Sequence, residues 1–333
     1  MQTGRSHEPD DRPYVSTGEL PPADLASRLV AEAYERYRAT DDGAVSDVYP
    51  ALARVPPDLF GICVVATHGA VFAVGDAKVE FAIMSVAKPF VFALVCESLG
   101  PEEARRLLGA NSTGLAFNSL AAIEQSSDGR TNPMVNPGAI AATSLVPGSN
   151  ADEKWEHVRD GLARFAGRPL SLDEETYRSA SESNFRNQSI ARLLQSYGRI
   201  HCDPAEATDV YTRQSCLNVS ARDLAVMGAT LADGGVNPLT GDRVVDADTC
   251  RYTLAVMATA GLYETSGDWL YDVGLPGKSG IGGGIITVAP GKGGLGTFSP
   301  RLDSAGNSVR GQLAARFVSR HLGLDVFLSK PIA

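Results

Sequence analysis

Apolar positions recur along most of this chain with helical spacing, and only toward its two ends do they crowd into short, unbroken runs of the kind strands make. Leu25, Leu29, Val30, Ala33, Tyr34 and Tyr37 share one face of a helix predicted over 23–38. Extended stretches follow at 61–66, 71–74 and 79–83, with a turn at His68-Gly69. From 86 to 99 the chain is apolar enough for a buried helix, which Gly100 and Pro101 close. The long middle section reads as helices with looped interruptions, and 3.6-residue periodicity is visible at 152–166, 186–197, 220–232 and 247–259. Ser220 with Asp223 forms an N-terminal cap there, and Gly234-Gly235 ends that helix. Strand character returns at 284–289 and, beyond a turn at 290–294, at 295–298; a last helix is predicted over 307–322. Residues 1–20 read as a disordered tail, and the chain holds no internal repeat or low-complexity segment.

Strands near both ends with helices between them predict one wrap, an α+β fold. The N- and C-terminal strands form a single antiparallel sheet flanked by terminal helices, with an all-helical lobe inserted. The expected unit runs over 21–330, with a sheet lobe at about 21–84 and 265–330 and a helical lobe at about 85–264. A site is expected in the cleft between the lobes, and Ser85 lies at that junction.

Composition narrows the chemistry. A net charge of −9 over 333 residues argues against nucleic acid or an anionic membrane as partner, since both demand basic patches. Cys63, Cys96, Cys202, Cys216 and Cys250 are widely spaced, with no Cys-x-x-Cys pair, and read as reduced thiols of a cytosolic protein. The histidines never fall at metal-ligand spacing, so no metal is expected. The first residues are polar and read as lacking a signal peptide, and no segment has the apolar length of a bilayer span. The expectation is a cytoplasmic enzyme.

The candidate chemistry begins in Phe81-Ala-Ile-Met-Ser-Val-Ala-Lys88, where a serine and a lysine stand one helical turn apart. At i, i+3 the two side chains share a helix face, about 5–6 Å apart at Cβ. Serine needs an adjacent base to become a nucleophile. Lysine serves as that base only if its pKa falls, which burial and a helix N-terminus both promote. Ser-x-x-Lys alone is weak evidence, because about one chance match is expected in a chain of this length.

A second motif, Lys278-Ser-Gly-Ile-Gly-Gly-Gly284, opens the C-terminal hairpin. Lys-Ser/Thr-Gly on a strand facing a Ser-x-x-Lys helix resembles the arrangement of the penicillin-binding and serine β-lactamase superfamily. Acyl transfer builds negative charge on the carbonyl oxygen, and two backbone N–H groups must already point at it. Ser85 at its helix N-terminus and Ile281 in the glycine-rich turn are the expected donors. The rival reading, a phosphate loop, needs the glycines to lead into a helix, and here a strand follows.

Longer stretches make the resemblance specific. Pro57-Asp-Leu-Phe-Gly61, Asn132-Pro-Met-Val-Asn-Pro-Gly-Ala-Ile140, Arg186-Asn187, Ala229-Thr-Leu-Ala-Asp-Gly-Gly235, Val273-Gly-Leu-Pro-Gly-Lys-Ser-Gly280 and Gly306-Asn-Ser-Val309 occur in order. With them the chain resembles the bacterial-type glutaminases from about residue 45 to 324. The resemblance implies a β-lactamase-like fold, hydrolysis of L-glutamine to L-glutamate and ammonia through an acyl-serine, no cofactor and a homo-oligomer, dimer or tetramer. It makes Ser85 the nucleophile, Lys88 its base and Tyr263 the relay of a proton to the leaving ammonia. Ile281 lends its backbone N–H, and Asn136, Asn187 and Tyr211 hold the substrate together with Ser85 and Tyr263. Read from the residues alone, Asn136 suits a turn, Asn187 a helix cap, and the two tyrosines a core.

The chain departs from the family at one position. A family glutamate that accepts the substrate's α-amino group falls on Ala180, and the nearest carboxylate, Glu182, is two positions later. The expectation is that Glu182, in a segment that is not a regular helix, enters the pocket as its substitute. Rival readings are a serine amidohydrolase for another amide, a β-lactamase or D-alanyl-D-alanine peptidase, whose Ser-Asp-Asn element is echoed by Ser127-Asp128-Gly129, and an inactive protein that only binds in the pocket.

Overall fold

A computed structural model of the chain describes residues 20–329, so the expected tail, apart from Leu20, lies outside the described residues. The strands are β1 (Ala44–Val45), β2 (Gly61–Ala66), β3 (Val71–Gly75), β4 (Phe81–Ala82), β5 (Asn218–Val219), β6 (Gly277–Ser279), β7 (Gly284–Ala289), β8 (Gly293–Phe298) and β9 (Arg301–Leu302). Five of them form one sheet in the order β3-β2-β8-β7-β6, antiparallel throughout. β2 lies beside β8, from the other end of the chain, in register from Gly61↔Phe298 to Ala66↔Gly293. The sheet is thus drawn from both ends, with the helices of the middle section between.

Every residue of β2, β7 and β8 is buried, as expected of strands covered on both faces. Ile62, Val64, Ile285 and Leu295 join the terminal helices Ala23–Tyr37 and Val309–His321 in one apolar cluster. Their neighbours Cys63, Val65, Ile286, Val288 and Phe298 point the other way, into the larger core shared with the middle helices. Burying each such side chain contributes roughly 1.5–3 kcal/mol, so a one-residue slip in register would be expensive.

One difference from the expected elements has a steric cause. Strand β8 begins at Gly293, not 295, because helix Ala221–Ala232 lies directly on it: a Cβ on Gly294 would come 2.3 Å from the Ala225 carbonyl, and one on Gly296 2.0 Å from that of Ala221. Glycine there is a strand residue selected by close approach rather than a turn signal. The expected strand over 79–83 shrinks to β4, which pairs with β5 outside the main sheet. Helices Asn136–Ser144, Glu174–Glu182, Pro204–Ser215 and Ser266–Val273 were not visible as periodicity; the first is buried on every side and so has no polar face. The capping box at Ser220 and Asp223 is present, and all five cysteines are free. No helix among the described residues is long and apolar enough to cross a membrane.

Candidate active site

Ser85 stands where β4 turns into the main core helix. The expected helix over 86–99 is divided: a 3-10 turn, Met84–Ala87, precedes the α-helix Lys88–Leu99. Met84 has φ +49° and Tyr263 φ +58°, the non-glycine residues with positive φ among those described. Such a conformation costs of order 1–3 kcal/mol and persists only where packing over-determines it. Met84 is held by Leu52, Ala82, Ile281 and Leu302. The turn between β6 and β7 presses on the same backbone. A Cβ on Gly280 would meet the Ile83 carbonyl at 3.0 Å and the Ser85 nitrogen at 3.2 Å, and one on Gly282 would meet the Ala82 carbonyl at 2.5 Å. Glycine at these positions brings Ile281 up to Ser85. Ser85 also lies in a first helical turn, where backbone N–H groups have no partner within the helix.

Lys88 is 2% exposed and points back into the core. Its Nζ donates to Asn136 Oδ1 at 2.6 Å and to the Met134 carbonyl at 3.5 Å, with no carboxylate paired to it among the described residues. Burial lowers its pKa to about 7, so near neutral pH much of it carries a free lone pair. Lys278 of the second motif is fully buried on β6, donating to the Gly261 carbonyl at 2.8 Å and the Ser279 carbonyl at 2.7 Å. Burial, and then repulsion from Lys88, hold it well below the usual lysine range. Its Nζ also sits 4.3 Å from the centre of the Tyr263 ring. Burial pushes the Tyr263 phenol up to about 12, against hydrogen bonding with Ser85 and Ser279 that lowers it, so the phenol keeps its proton.

A cavity of about 180 Å³ opens in front of these groups, with Ser85, Asn136, Asn187, Tyr211 and Ile281 in its wall. Lys88 and Tyr263 are not part of the lining: they are buried behind it, Tyr263 with its ring tilted against Phe117, which does line it. The polar wall is one chain of hydrogen bonds. Asn136 Oδ1 accepts from Lys88 and, at 3.0 Å, from Tyr211 Oη; Asn136 Nδ2 donates to Asn187 Oδ1 at 3.0 Å. Asn187 Nδ2 donates to Asn184 Oδ1 at 2.6 Å, and Asn184 Nδ2 to Thr212 Oγ1 at 2.6 Å. A buried network of this kind fixes its members because each amide has one satisfactory orientation.

Sequence reasoning missed Tyr49, Phe117, Asn118, Asn184, Thr212 and Ser215, which also line the cavity. They come from separate loops and helices, and no local pattern joins them; only Asn184, three residues before Asn187, carried a spacing signal. The substitute carboxylate is a correction. Ala180 does line the cavity, but Glu182 is the exposed last residue of the regular helix Glu174–Glu182 and is not in the lining. Two residues along a helix are about 200° apart in direction, so the two cannot face the same way. Nor does Ser127-Asp128-Gly129 reach the cavity: Asp128 accepts from Ser126 and from Arg130, both at 2.5 Å. A larger cavity of about 350 Å³, between Arg105, Asn111 and Thr131, contains neither Ser85 nor Lys88.

Comparison with known proteins points to one family. Residues 43–327 match the glutaminase family. The chain is 69% identical over 318 residues to glutaminase 2 of Yersinia pestis, covering 96% of this chain and 94% of that one. It is 48% identical over 309 residues to the glutaminase of Brucella canis, covering 92% and 98%. Among solved structures, the probable glutaminase ybaS matches with a TM-score of 0.91 at 44% identity, over 93% of this chain and all of that one (100%). The glutamate form of Mglu matches at 0.87 and 36% identity, over 91% of this chain and 70% of that one.

Proposed function

Because the chain belongs to the glutaminase family, with its β-lactamase-like fold, we propose that the Ser85 cavity is where it hydrolyses L-glutamine to L-glutamate and ammonia. The activity itself follows from the family, and it replaces the rival readings of a β-lactamase, a peptidase and an inactive binder. The assignment of residues is our reading, and the observation that carries it is a buried lysine, hydrogen-bonded to Asn136, one turn beyond a serine that lines a cavity; burial lowers the pKa of its amine.

In this reading neutral Lys88 takes the proton of Ser85 Oγ, which adds to the side-chain amide carbon of glutamine. The N–H groups of Ser85 and Ile281 receive the oxyanion; such a donor contributes about 2.7–4 kcal/mol to lowering the barrier. Tyr263, protonated and beside Ser85, passes a proton to the departing nitrogen as the C–N bond breaks and ammonia leaves. Water then attacks the ester by the reverse proton path, and Ser85 is restored with release of glutamate. Asn136 and Tyr211 orient Lys88 and, with Asn187, hold the substrate. The reading needs no metal or cofactor. We also propose that residues 21–330 work as one unit of two interleaved lobes, in a reducing, cytoplasmic setting that suits five free thiols, and as a homo-oligomer. Hydroxylamine added during turnover tests the acyl-serine: it should divert product to the γ-hydroxamate in proportion to its concentration, and a constant product mixture would speak against the intermediate.

A further inference from the structure

We propose that Lys278 is a positioning residue for the proton donor: its amine clamps the Tyr263 ring and occupies a competing acceptor beside the phenol, which leaves the phenol's proton free for the departing nitrogen. The inference rests on the assignment of Tyr263 above, and it gives a role to a buried side chain that the proposed reaction does not otherwise use.

Lys278 is fully buried and, among the described residues, makes no ion pair. A lysine buried without a carboxylate costs stability, and a methionine would fill much the same volume without that cost. The contacts of its amine supply the reason for it. Nζ donates to the Gly261 carbonyl at 2.8 Å and to the Ser279 carbonyl at 2.7 Å. Gly261 follows helix Ala247–Ala260, two residues before Tyr263, and Ser279 ends β6, two residues before Ile281. The amine thus ties the backbone that carries the phenol to the backbone that carries the expected oxyanion donor. Between these two bonds Nζ lies 4.3 Å from the centre of the Tyr263 ring, and Phe117 packs on that ring with centroids 4.8 Å apart. Tyr263 has φ +58°, a conformation that relaxes unless its surroundings hold it. The Ser279 carbonyl is also within reach of Tyr263 Oη, but at 3.4 Å, well beyond the usual length of such a bond. Lys278 holds that carbonyl at the shorter distance. Without the amine, the phenol would settle its O–H onto the carbonyl and away from the leaving nitrogen. Ser279 Oγ offers no alternative, because it donates to Asn307 Oδ1 at 2.5 Å.

A double-variant cycle on the full-length protein, read as kcat and KM for L-glutamine, tests the inference. Lys278→Met, of similar length and without a donor, should lower kcat on the order of 10²-fold, the scale of a misplaced catalytic group, with little change in KM. Tyr263→Phe should lower it at least as far. The double variant should be no slower than Tyr263→Phe, because groups that act as one unit are not additive. An undiminished Lys278→Met, or losses that multiply in the double variant, would overturn the inference, since the lysine would then act apart from Tyr263. A second substrate separates positioning from general damage. The γ-methyl thioester of L-glutamate forms the same ester to Ser85 by breaking its C–S bond, and methanethiolate leaves with the electron pair and needs no proton from Tyr263. Its kcat/KM should be nearly unchanged in Lys278→Met; a loss equal to that for glutamine would make the role structural and overturn the inference. If Lys278→Met fails to fold, Lys278→Gln decides by the same comparison of amide with thioester. A fully active Tyr263→Phe would instead defeat the assignment of Tyr263 itself, and with it any donor for Lys278 to position.

Discussion

At the residue scale the account turns on Ser85 and Lys88 acting as one unit. Ser85→Ala and Lys88→Ala should each remove turnover on the order of 10⁴-fold, and the double variant should be little worse, because groups that act together are strongly non-additive. Additive losses would mean that Lys88 acts apart from the serine. The pH profile carries a sign. Lys88 is lowered to about 7 by burial, and below that value it is protonated and holds no lone pair. kcat/KM should therefore rise with pH through about 7 to an alkaline plateau. Tyr263, pushed up to about 12, stays a proton donor across that range, so no falling limb is expected near neutrality. An acid optimum in the measured profile would remove Lys88 from the role of base. Spacing made this pair only a candidate, and the second motif and the family resemblance singled it out. The asparagines and tyrosines became legible only through family resemblance, because their partners lie far along the chain: 75 residues separate Tyr211 from Asn136. Glu182 misled because its segment was expected to be irregular, whereas it is the regular helix Glu174–Glu182, which turns that side chain away from the one at Ala180.

The elements that present these residues are held together by backbone contacts that only glycine permits. Gly282→Ala would drive a methyl group to 2.5 Å from the Ala82 carbonyl and push the Ile281 turn away from Ser85. The expected result is a loss in kcat of about 10-fold or more with a smaller change in KM, because an oxyanion donor acts mainly in the transition state. Gly267, in helix Ser266–Val273 with nothing within 4 Å, is the control: Gly267→Ala should leave kinetics alone and stabilise by about 0.4–1 kcal/mol. Steady-state kinetics and urea unfolding on both variants separate the two effects. At Ile281 itself, Ile281→Val should be nearly silent and Ile281→Pro, which lacks the N–H, should lose activity; a folded and fully active proline variant would place the donor elsewhere. Strand β8 shows why element boundaries were only partly readable. Gly293-Gly-Leu-Gly spells a turn by composition, yet a helix packed flat on the sheet is what makes it glycine.

Across the whole molecule, the antiparallel sheet built from both ends was legible because β2 is an unbroken apolar run and β7 is one interrupted only by Thr287. The path of the middle section was not legible, because its contacts are long-range. Arg168 illustrates this: it donates to Asp223 at 2.9 and 2.7 Å and to Glu80 at 2.8 Å, tying the segment before β4, the end of helix Ala151–Ala166 and the cap of helix Ala221–Ala232. Burial alone would raise the Asp223 carboxyl, but hydrogen bonds from Arg168 and Ser220 outweigh it and hold it below its usual range. A carboxylate with a depressed folded pKa stabilises above its unfolded pKa and loses that contribution as the pH falls. Arg168→Ala should cost about 1–3 kcal/mol at neutral pH, by leaving a buried carboxylate under-satisfied. The gap from the unaltered protein should narrow in acid; a pH-independent gap in urea unfolding would show that lost packing, and not the charge, is responsible.

The central claim is a covalent bond between Ser85 and the substrate, and its most direct test is peptide mass mapping after rapid acid quench of the protein turning over L-glutamine. The account predicts that the peptide containing Ser85 gains the mass of glutamine less ammonia, with fragmentation placing the adduct on Ser85, and that Ser85→Ala shows neither adduct nor turnover. Turnover in Ser85→Ala, or an adduct mapped to any other side chain, would contradict it.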